Sequence, residues 1–373
     1  LISSFSLAQP RLFNTQFTNE SGTGGTADYS TGFTFEGAAF GTHRLVTSVG
    51  ANGDAYFRFR NGDNTQDRRP ATDGDIVPLN PTTPYTSIFD GAFYAFRFNA
   101  TTGRRYVFKV NDAVTQLAIF EIQGTNIETV TSVSRFPATT VFPGLDVTIT
   151  ANLSANFATG QAAYLRYTND GFATSTVVKM SGSGTSRTAV IPGVDNIPSG
   201  TLQYYVFTSG DVASIAPADA DLFTINGNNN GGSNFSYTVA AGWTTAAAGN
   251  WSLGGGKWTA GVSPPVGVNL GTVTIAHATT LNQDALVGAI VLNTTTANIL
   301  TLAAGQTLEI VPGGSITRTS TATLSANPNS IVRFLGNGSI GFATTWGNLE
   351  TAGALTTTGV QTITTSFQIN TGG

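Results

Sequence analysis

The residue types that most often carry acid–base or metal chemistry are scarce in this sequence. Its 373 residues include two histidines, His43 and His277, and no cysteine. The lack of cysteine excludes a disulfide framework, a thiolate metal site and a cysteine nucleophile. Neither histidine lies beside a G-x-S-x-G turn, so a serine hydrolase site is not indicated. We expect both to be ordinary loop histidines, and we expect the chain not to be an enzyme.

Paired carboxylates could support glycoside hydrolysis without a histidine. Between residues 226 and 373 the only carboxylates are Asp284, Glu309 and Glu350, which are widely spaced. Acidic residues nearer the N-terminus are more numerous but crowd into loops. A polysaccharide-degrading enzyme is therefore the least favoured of the three functions considered below.

One polar loop contains the hard oxygen ligands that calcium prefers. The candidate ligands are Asp63, Asp67, Asp73 and Asp75. Their spacing lacks the EF-hand pattern and its closing glutamate. Arg68 and Arg69 lie in the same loop and could pair with the carboxylates instead. The loop is therefore either a polar turn with local ion pairs or a calcium site, and no other cofactor is expected.

The tryptophans are confined to the last third of the chain. They are Trp243, Trp251, Trp258 and Trp346. Exposed, rigid aromatic rings can stack on a ligand such as a sugar. Buried rings at the head of a repeat domain would instead close its hydrophobic end. Both interpretations, ligand binding and capping, stay open at this point.

Composition limits the partners and the overall class of the protein. Hydrophobic residues make up 40% of the chain, charged residues only 10%, and the net charge is −4, so the chain can bury cores. Without a basic excess, binding to nucleic acid or to anionic lipid is not indicated. No run of about 18 apolar residues occurs, so no membrane span is expected.

Apolar residues alternate with polar ones over short runs, which predicts an all-β fold. Residues 1–133, with runs such as 55–60 and 93–98, are expected to form a β-sandwich. Residues 134–225 contain five short strands separated by Gly, Pro and Asn turns, which predicts a second sandwich of the immunoglobulin or fibronectin kind. The Asn- and Gly-rich stretch 226–234 is expected to be a flexible linker.

Residues 235–373 differ in character from the rest of the chain. Apolar runs of about five residues recur between Gly, Asn and Thr, and charged residues are few. This pattern favours a β-solenoid, in which short strands stack over one continuous core. A third sandwich is the alternative. A solenoid needs a cap at each end, so we expect the chain to continue past Gly373 or another chain to cover that end.

Two stretches resemble parts of secreted proteins of Bacteroidota. The segments YLRYTNDGF, TAVIPG and SGTLQYYVF, between residues 163 and 207, resemble modules found beside other domains in such proteins. Gly249-Asn250-Trp251-Ser252, followed by Lys257-Trp258-Thr259, Gly261-Val262-Ser263-Pro264 and a first short strand, resembles the start of the repeat region in large surface proteins exported by the type IX secretion route. The resemblance implies an extracellular protein at the cell surface. The C-terminal sorting domain usual in that family is absent from these residues.

Three functions follow from these observations. The favoured one is a non-enzymatic structural or adhesive surface protein that associates with copies of itself, or with other surface proteins, through β edges or solenoid ends. A set of carbohydrate- or host-binding modules is the first alternative, and a polysaccharide-degrading enzyme is the second. Few charges are available to protect the sheet edges of the last domain, which favours association.

Overall fold

The protein is all-β, as predicted. A computed structural model describes residues 9–19, 24–25, 33–34, 36–37, 42–60, 67–91, 94–111, 113–124, 126–295 and 299–369. Strands dominate these residues, and the α-helix among them, α1, spans only Ala220–Phe223. No helix in these ranges has the length and apolar character needed to cross a bilayer.

The strands are short and follow one another through tight turns. Strands β1 to β20 are Arg11–Phe13, Phe17–Asn19, Phe33–Thr34, Glu36–Gly37, Thr42–Val49, Gly53–Arg60, Asp67–Arg69, Asp75–Ile76, Phe89–Asp90, Phe96–Ala100, Arg104–Asn111, Leu117–Gln123, Val130–Phe136, Val147–Leu153, Gln161–Thr168, Thr176–Lys179, Ser186–Ile191, Thr201–Gly210, Asn226–Asn228 and Phe235–Thr238. Strands β21 to β33 are Gly242–Thr244, Gly249–Asn250, Thr272–Ile275, Thr279–Leu281, Ala285–Leu292, Leu300–Leu302, Thr307–Arg318, Leu324–Ala326, Ile331–Phe334, Gly338–Ile340, Thr344–Thr351, Leu355–Thr357 and Gln361–Ile369. Single 3-10 turns span Gly193–Asp195, Pro217–Asp219, Asn230–Gly232 and Gly255–Lys257.

The chain forms two compact units, and neither is a single stretch of sequence. Unit 1 comprises Leu1–Ser134, Ile149–Ala189 and Gln203–Phe235. Unit 2 comprises Arg135–Thr148, Val190–Leu202 and Ser236–Gly373. Residues of the predicted second sandwich, 134–225, therefore belong to both units.

Unit 1 contains a sandwich built on the N-terminal strands. One sheet has the order β3-β1-β6-β10-β8, in which β7 also pairs with β6 and β9 pairs with β7. The other sheet has the order β12-β11-β5-β2, in which β4 also pairs with β5. Phenylalanines from both sheets share one core, in which the rings of Phe57 and Phe108 lie 5.2 Å apart, edge to face. The alternation of apolar and polar residues in β6 matches this arrangement, because alternate side chains of a strand point to opposite faces.

The sheet that contains β11 is covered on both faces. Val107 and Phe120 point away from the sandwich core and pack with Tyr164 and Phe207 of a further sheet, which has the order β16-β15-β18-β19. Helix α1 packs against the same cluster through Phe223. Burial on both faces accounts for the continuous buried runs of β11 and β12, which lack the alternation expected of a half-exposed strand.

The segment predicted as a flexible linker begins as a strand. Asn226–Asn228 is β19, which pairs antiparallel with β18. The Asn226 side chain donates to the carbonyl of Glu128 at 3.4 Å, and the Asn228 side chain donates to the carbonyl of Val130 at 3.3 Å. Composition alone does not predict this pairing. An asparagine amide can form hydrogen bonds with a neighbouring backbone as well as with water, so an Asn-rich stretch is compatible with a strand as well as with a linker.

Unit 2 contains the predicted β-solenoid. Its larger sheet is parallel, with the order β21-β23-β25-β27-β29-β31-β33, and β30 and β32 extend it beside β27. A smaller parallel sheet, β22-β24-β26-β28, supplies a second wall. Side chains at matching positions of successive strands stack in ladders, as in the series Trp243, Val273, Ile290 and Ile316. The stacked ladders form one continuous core.

Candidate functional site

The described aspartates of the predicted calcium loop do not converge. Asp67 forms an ion pair with Arg60 at 2.7 Å, and Asp73 accepts a hydrogen bond from the Ala95 backbone at 2.8 Å. The Thr72 hydroxyl donates to Asp75 and lowers the pKa of that carboxyl. In the ranges described above, no three histidine, aspartate or glutamate side chains come together as metal ligands. Asp63, the fourth candidate, lies outside the described residues.

The four tryptophans are all buried, each at most 1% exposed. This burial argues against ligand stacking by Trp243, Trp251, Trp258 and Trp346, because a covered ring has no free face to offer. The rings lie inside instead because they fill the solenoid core. Trp346 packs within a later rung, where its indole nitrogen donates to Gln361 Oε1 at 2.9 Å.

Three of these tryptophans close the first rung of the solenoid. Trp258 lies 6.0 Å from Trp243 and 5.0 Å from Trp251, both edge to face. Phe142 packs on Trp243 at 5.2 Å, and the Trp243 indole donates to the carbonyl of Pro143 at 3.2 Å. We call this set of five residues the closed end.

A buried lysine supports the closed end. Lys257 donates from Nζ to the carbonyl of Ala247 at 2.8 Å and to the Thr279 hydroxyl at 2.6 Å. Its Nζ also lies 5.4 Å from the Trp258 ring centre, within the range of a cation–π contact. Burial lowers the pKa of Lys257 to about 8. These contacts assign the lysine a structural role beneath the tryptophans.

The opposite end of the solenoid has an open strand. Within the described residues β33 pairs with β31 and with no other strand. Its apolar side chains continue the core ladders: Phe367 follows Leu349, and Ile369 follows Thr351. Leu349 is buried, but Phe367 is 50% exposed and Ile369 60% exposed. We call β33 with these two side chains the open edge.

The carboxylates that could have served a hydrolase have structural partners. Glu309 and Glu350 flank Arg333 on successive strands of the solenoid, at 2.9 and 2.6 Å. Asp284 accepts a hydrogen bond from the Thr307 backbone at 2.7 Å. The three side chains therefore hold neighbouring rungs together.

The histidines lie in different units. His43 is a buried residue of strand β5, which corrects the prediction of a loop position. His277 lies between β23 and β24, as predicted for a loop, and its Nδ1 is 3.0 Å from the carbonyl oxygen of Thr245. The strand position of His43 was missed because the alternation of Thr42–Val49 is hidden by burial on both faces of its sheet.

A cleft in unit 2 was not anticipated from the sequence. It encloses about 700 Å³ between residues 136–146 and 259–265. Phe136, which lines the cleft, is 75% exposed, the most exposed aromatic ring among the large hydrophobic residues described. The only signal in the sequence is the pair of prolines Pro137 and Pro143, which interrupt strand pairing near the boundary between residues 133 and 134. Sequence reasoning did not distinguish a boundary from a cleft wall.

A second, smaller cleft in the same unit encloses about 560 Å³ beside residues 193–198 and 267–269. Gly144 lines both clefts. A side chain at Gly144 would collide with Val268 at 2.4 Å, so glycine is required where the two walls meet.

The chain matches no model of a known protein family, and a search of curated proteins found no significant match.

Proposed function

We propose that this protein is a non-enzymatic, extracellular structural or adhesive protein that associates with a second copy of itself through the open edge. One observation supports the proposal above all others: aromatic rings close one end of the solenoid, whereas at the other end β33 pairs on one side only, within the described residues, and carries exposed core residues. An exposed sheet edge is a template for pairing with another chain.

The open edge lacks the features that usually prevent such pairing. Charged side chains, prolines and very short strands are the common protections of an edge. Strand β33 has nine residues and contains neither a charged residue nor a proline. Nothing in the composition of this segment opposes the approach of a second uncharged strand.

The sequence of β33 is complementary to itself in one arrangement. In an antiparallel pair related by a two-fold axis through Thr365, Ile363 lies opposite the partner subunit's Phe367. The same register places Gln361 opposite the partner subunit's Ile369. The Ile363–Phe367 pair is apolar and occurs twice by symmetry, and apolar cross-strand pairs stabilise a sheet. An isologous contact also closes on itself, because each copy uses the same surface.

The closed end limits how far association proceeds. Head-to-tail stacking of solenoids would require β33 to pair with β21 of the next copy. Phe142 and Pro143 already cover Trp243 of β21. The proposal therefore predicts pairs of molecules through the solenoid and not open-ended filaments.

The setting of this function rests on resemblance. The motif Asn250-Trp251-Ser252 and the segments that follow it resemble the repeat regions of type IX-exported Bacteroidota surface proteins. We accordingly propose a location at the cell surface, and an immunoglobulin- or fibronectin-like character for residues 134–225. The location is tested by detecting the native protein on intact cells, where detection only inside the cell would contradict it.

Sedimentation equilibrium of the full chain tests the association. The wild-type protein should shift from monomer towards dimer between about 1 and 100 µM, and Phe367→Lys should weaken the dimer at least tenfold, or about 1.4 kcal/mol. Val360→Lys is the matched control, since Val360 is also exposed and lies just before β33. Wild-type protein that stays monomeric over this range would refute the proposal, as would a Phe367→Lys protein that dimerises normally.

The absence of cysteine allows a second, independent test of the register. Thr365→Cys places one thiol on the proposed two-fold axis, where it should form a disulfide-linked dimer under mild oxidation. Ser320→Cys, an exposed position elsewhere in the solenoid, is the control. Equal rates of disulfide formation in the two variants would exclude the proposed axis.

A further inference from the structure

The cleft beside Phe136 is held in a fixed shape by a chain of polar contacts within unit 2. The Arg135 guanidinium donates to the carbonyls of Pro137 and Thr139, the latter at 2.9 Å. It also packs 5.1 Å above the ring of Tyr237. These contacts fix the residues on either side of Phe136. The backbone that carries the exposed Phe136 ring is therefore held in place by these contacts.

The same chain of contacts continues to Leu145, and a further contact holds Asp146; both residues line the cleft. Tyr237 donates from its hydroxyl to Asn196 Oδ1 at 2.7 Å, and both side chains are buried. The Asn196 amide donates in turn to the carbonyl of Leu145 at 2.7 Å. Asp146 accepts a hydrogen bond from the Gly193 backbone at 2.7 Å. Binding sites for small ligands are usually preformed in this way.

The lining of the cleft combines one open aromatic ring with hydroxyl groups. Thr139, Thr140 and Thr259 contribute exposed side chains to the lining, and Phe136 contributes its ring. Among the described residues that line the cleft, Asp146 is the only ionisable one. A ligand that fits this surface needs an apolar face for the ring and polar groups for the hydroxyls. An anionic ligand would meet a carboxylate and no cation.

We propose that this cleft binds a neutral glycan, with one sugar ring stacked on Phe136 and its hydroxyls hydrogen-bonded to the threonines and Asp146. A sugar ring has an apolar C–H face and a polar edge, and its hydroxyls need partners when they are removed from water. The cleft volume of about 700 Å³ lies in the range of small-ligand sites. A purely apolar ligand, such as an apolar patch of another protein, would leave the threonine hydroxyls and the Asp146 carboxylate without hydrogen-bond partners.

This inference goes beyond self-association and does not depend on it. The cleft and the open edge consist of different residues, so a variant of one leaves the other intact. The tests can therefore fail separately: loss of dimerisation says nothing against glycan binding, and the converse also holds.

Isothermal titration calorimetry of the full chain tests the proposal. The neutral probes are cellohexaose, laminarihexaose and xylohexaose, and the acidic comparison is a galacturonate hexamer, each up to about 5 mM. At least one neutral probe should bind, and the acidic hexamer should bind at least tenfold more weakly. If no neutral probe binds, or if the acidic hexamer binds best, the proposal is overturned.

Substitutions of Phe136 distinguish ring stacking from general apolar contact. Phe136→Ala and Phe136→Leu should each weaken the neutral probe at least tenfold, whereas Phe136→Trp should keep its affinity within about threefold. Phe89→Ala is the control, because Phe89 is 48% exposed and belongs to unit 1. Full binding by Phe136→Leu would show that an apolar side chain suffices, which would contradict glycan stacking.

Discussion

The buried lysine of unit 1 gives the sharpest test of the structure. Lys109 lies in β11, on the face of the sheet covered by the second core, and its side chain is fully buried. It donates from Nζ to the Thr42 hydroxyl at 2.8 Å. The pKa of Lys109 is lowered from 10.5 to about 7, mainly because the side chain is removed from water; the neighbouring Arg44 acts in the same direction, and Asp221 partly opposes both effects. The charged form is therefore disfavoured in the folded protein.

The sign of the pH dependence follows from the direction of this shift. Between pH 7 and pH 10.5 the unfolded chain holds a proton on Lys109 that the folded chain has released. Stability contributed by this group therefore rises with pH across that window and is lowest below about pH 7. With these two pKa values, the free energy of unfolding should increase by about 2.5 kcal/mol between pH 7.5 and pH 9.5.

Lys109→Met isolates the effect. Methionine has a similar length and no charge, so the increase of about 2.5 kcal/mol should disappear in the variant. Thr42 keeps a partner, because its hydroxyl also donates to the carbonyl of Asp221 at 3.2 Å. The variant should be more stable than the wild type, and by more at pH 7.5 than at pH 9.5.

The assay must report on unit 1 alone, and tryptophan fluorescence does not, because all four tryptophans lie in unit 2. We would equilibrate the protein in urea at each pH and pulse-label it with deuterium at one fixed pH. The mass of the peptide that contains β11 then gives the unfolded fraction. Lys179→Met removes an exposed lysine and is the control for loss of charge. Parallel stability curves for wild type and Lys109→Met would refute the reasoning.

Two further predictions concern the solenoid. Trp258→Ala should lower the free energy of unfolding of unit 2 by about 3 to 5 kcal/mol, because it leaves a cavity between two other tryptophans. Urea unfolding followed by tryptophan fluorescence measures this change. A loss below about 1 kcal/mol would contradict the tight packing of the closed end. Arg333→Gln should cost about 1 kcal/mol at low salt and less at high salt, because it leaves Glu309 and Glu350 unpaired on a partly exposed face. An effect of salt in the opposite direction would argue against this ion-pair ladder.

Local patterns in the sequence predicted most of the fold. The alternation in Ala55–Arg60 indicated a half-buried strand, and β6 spans Gly53–Arg60. The apolar runs separated by Gly, Asn and Thr indicated the solenoid strands, because each rung repeats the same requirement for a short strand and a tight turn. Periodicity is a local property, so it is readable without knowledge of the contacts.

Contacts between distant segments were not predictable in the same way. A proline such as Pro143 interrupts strand pairing, and nothing near it in the sequence indicates that Phe142 and Pro143 cover Trp243, which lies about a hundred residues later. Nothing in the spacing of Trp243, Trp251 and Trp258 distinguishes exposed rings from buried ones. Burial depends on which segment covers the rings, and a single sequence contains no record of that partner. The cleft beside Phe136 was missed for the same reason.

The closed end also bears on how such a protein can be inherited in parts. Genetic exchange moves contiguous stretches of sequence, and the change of composition after residue 234 looks like a natural joint. A repeat region transferred from that joint would leave Phe142 and Pro143 behind, so Trp243 would lose both its covering ring and its hydrogen-bond acceptor. Unit 2 can be passed on intact only together with Arg135–Thr148 and Val190–Leu202, and hence with the strands of unit 1 that lie between them in the sequence.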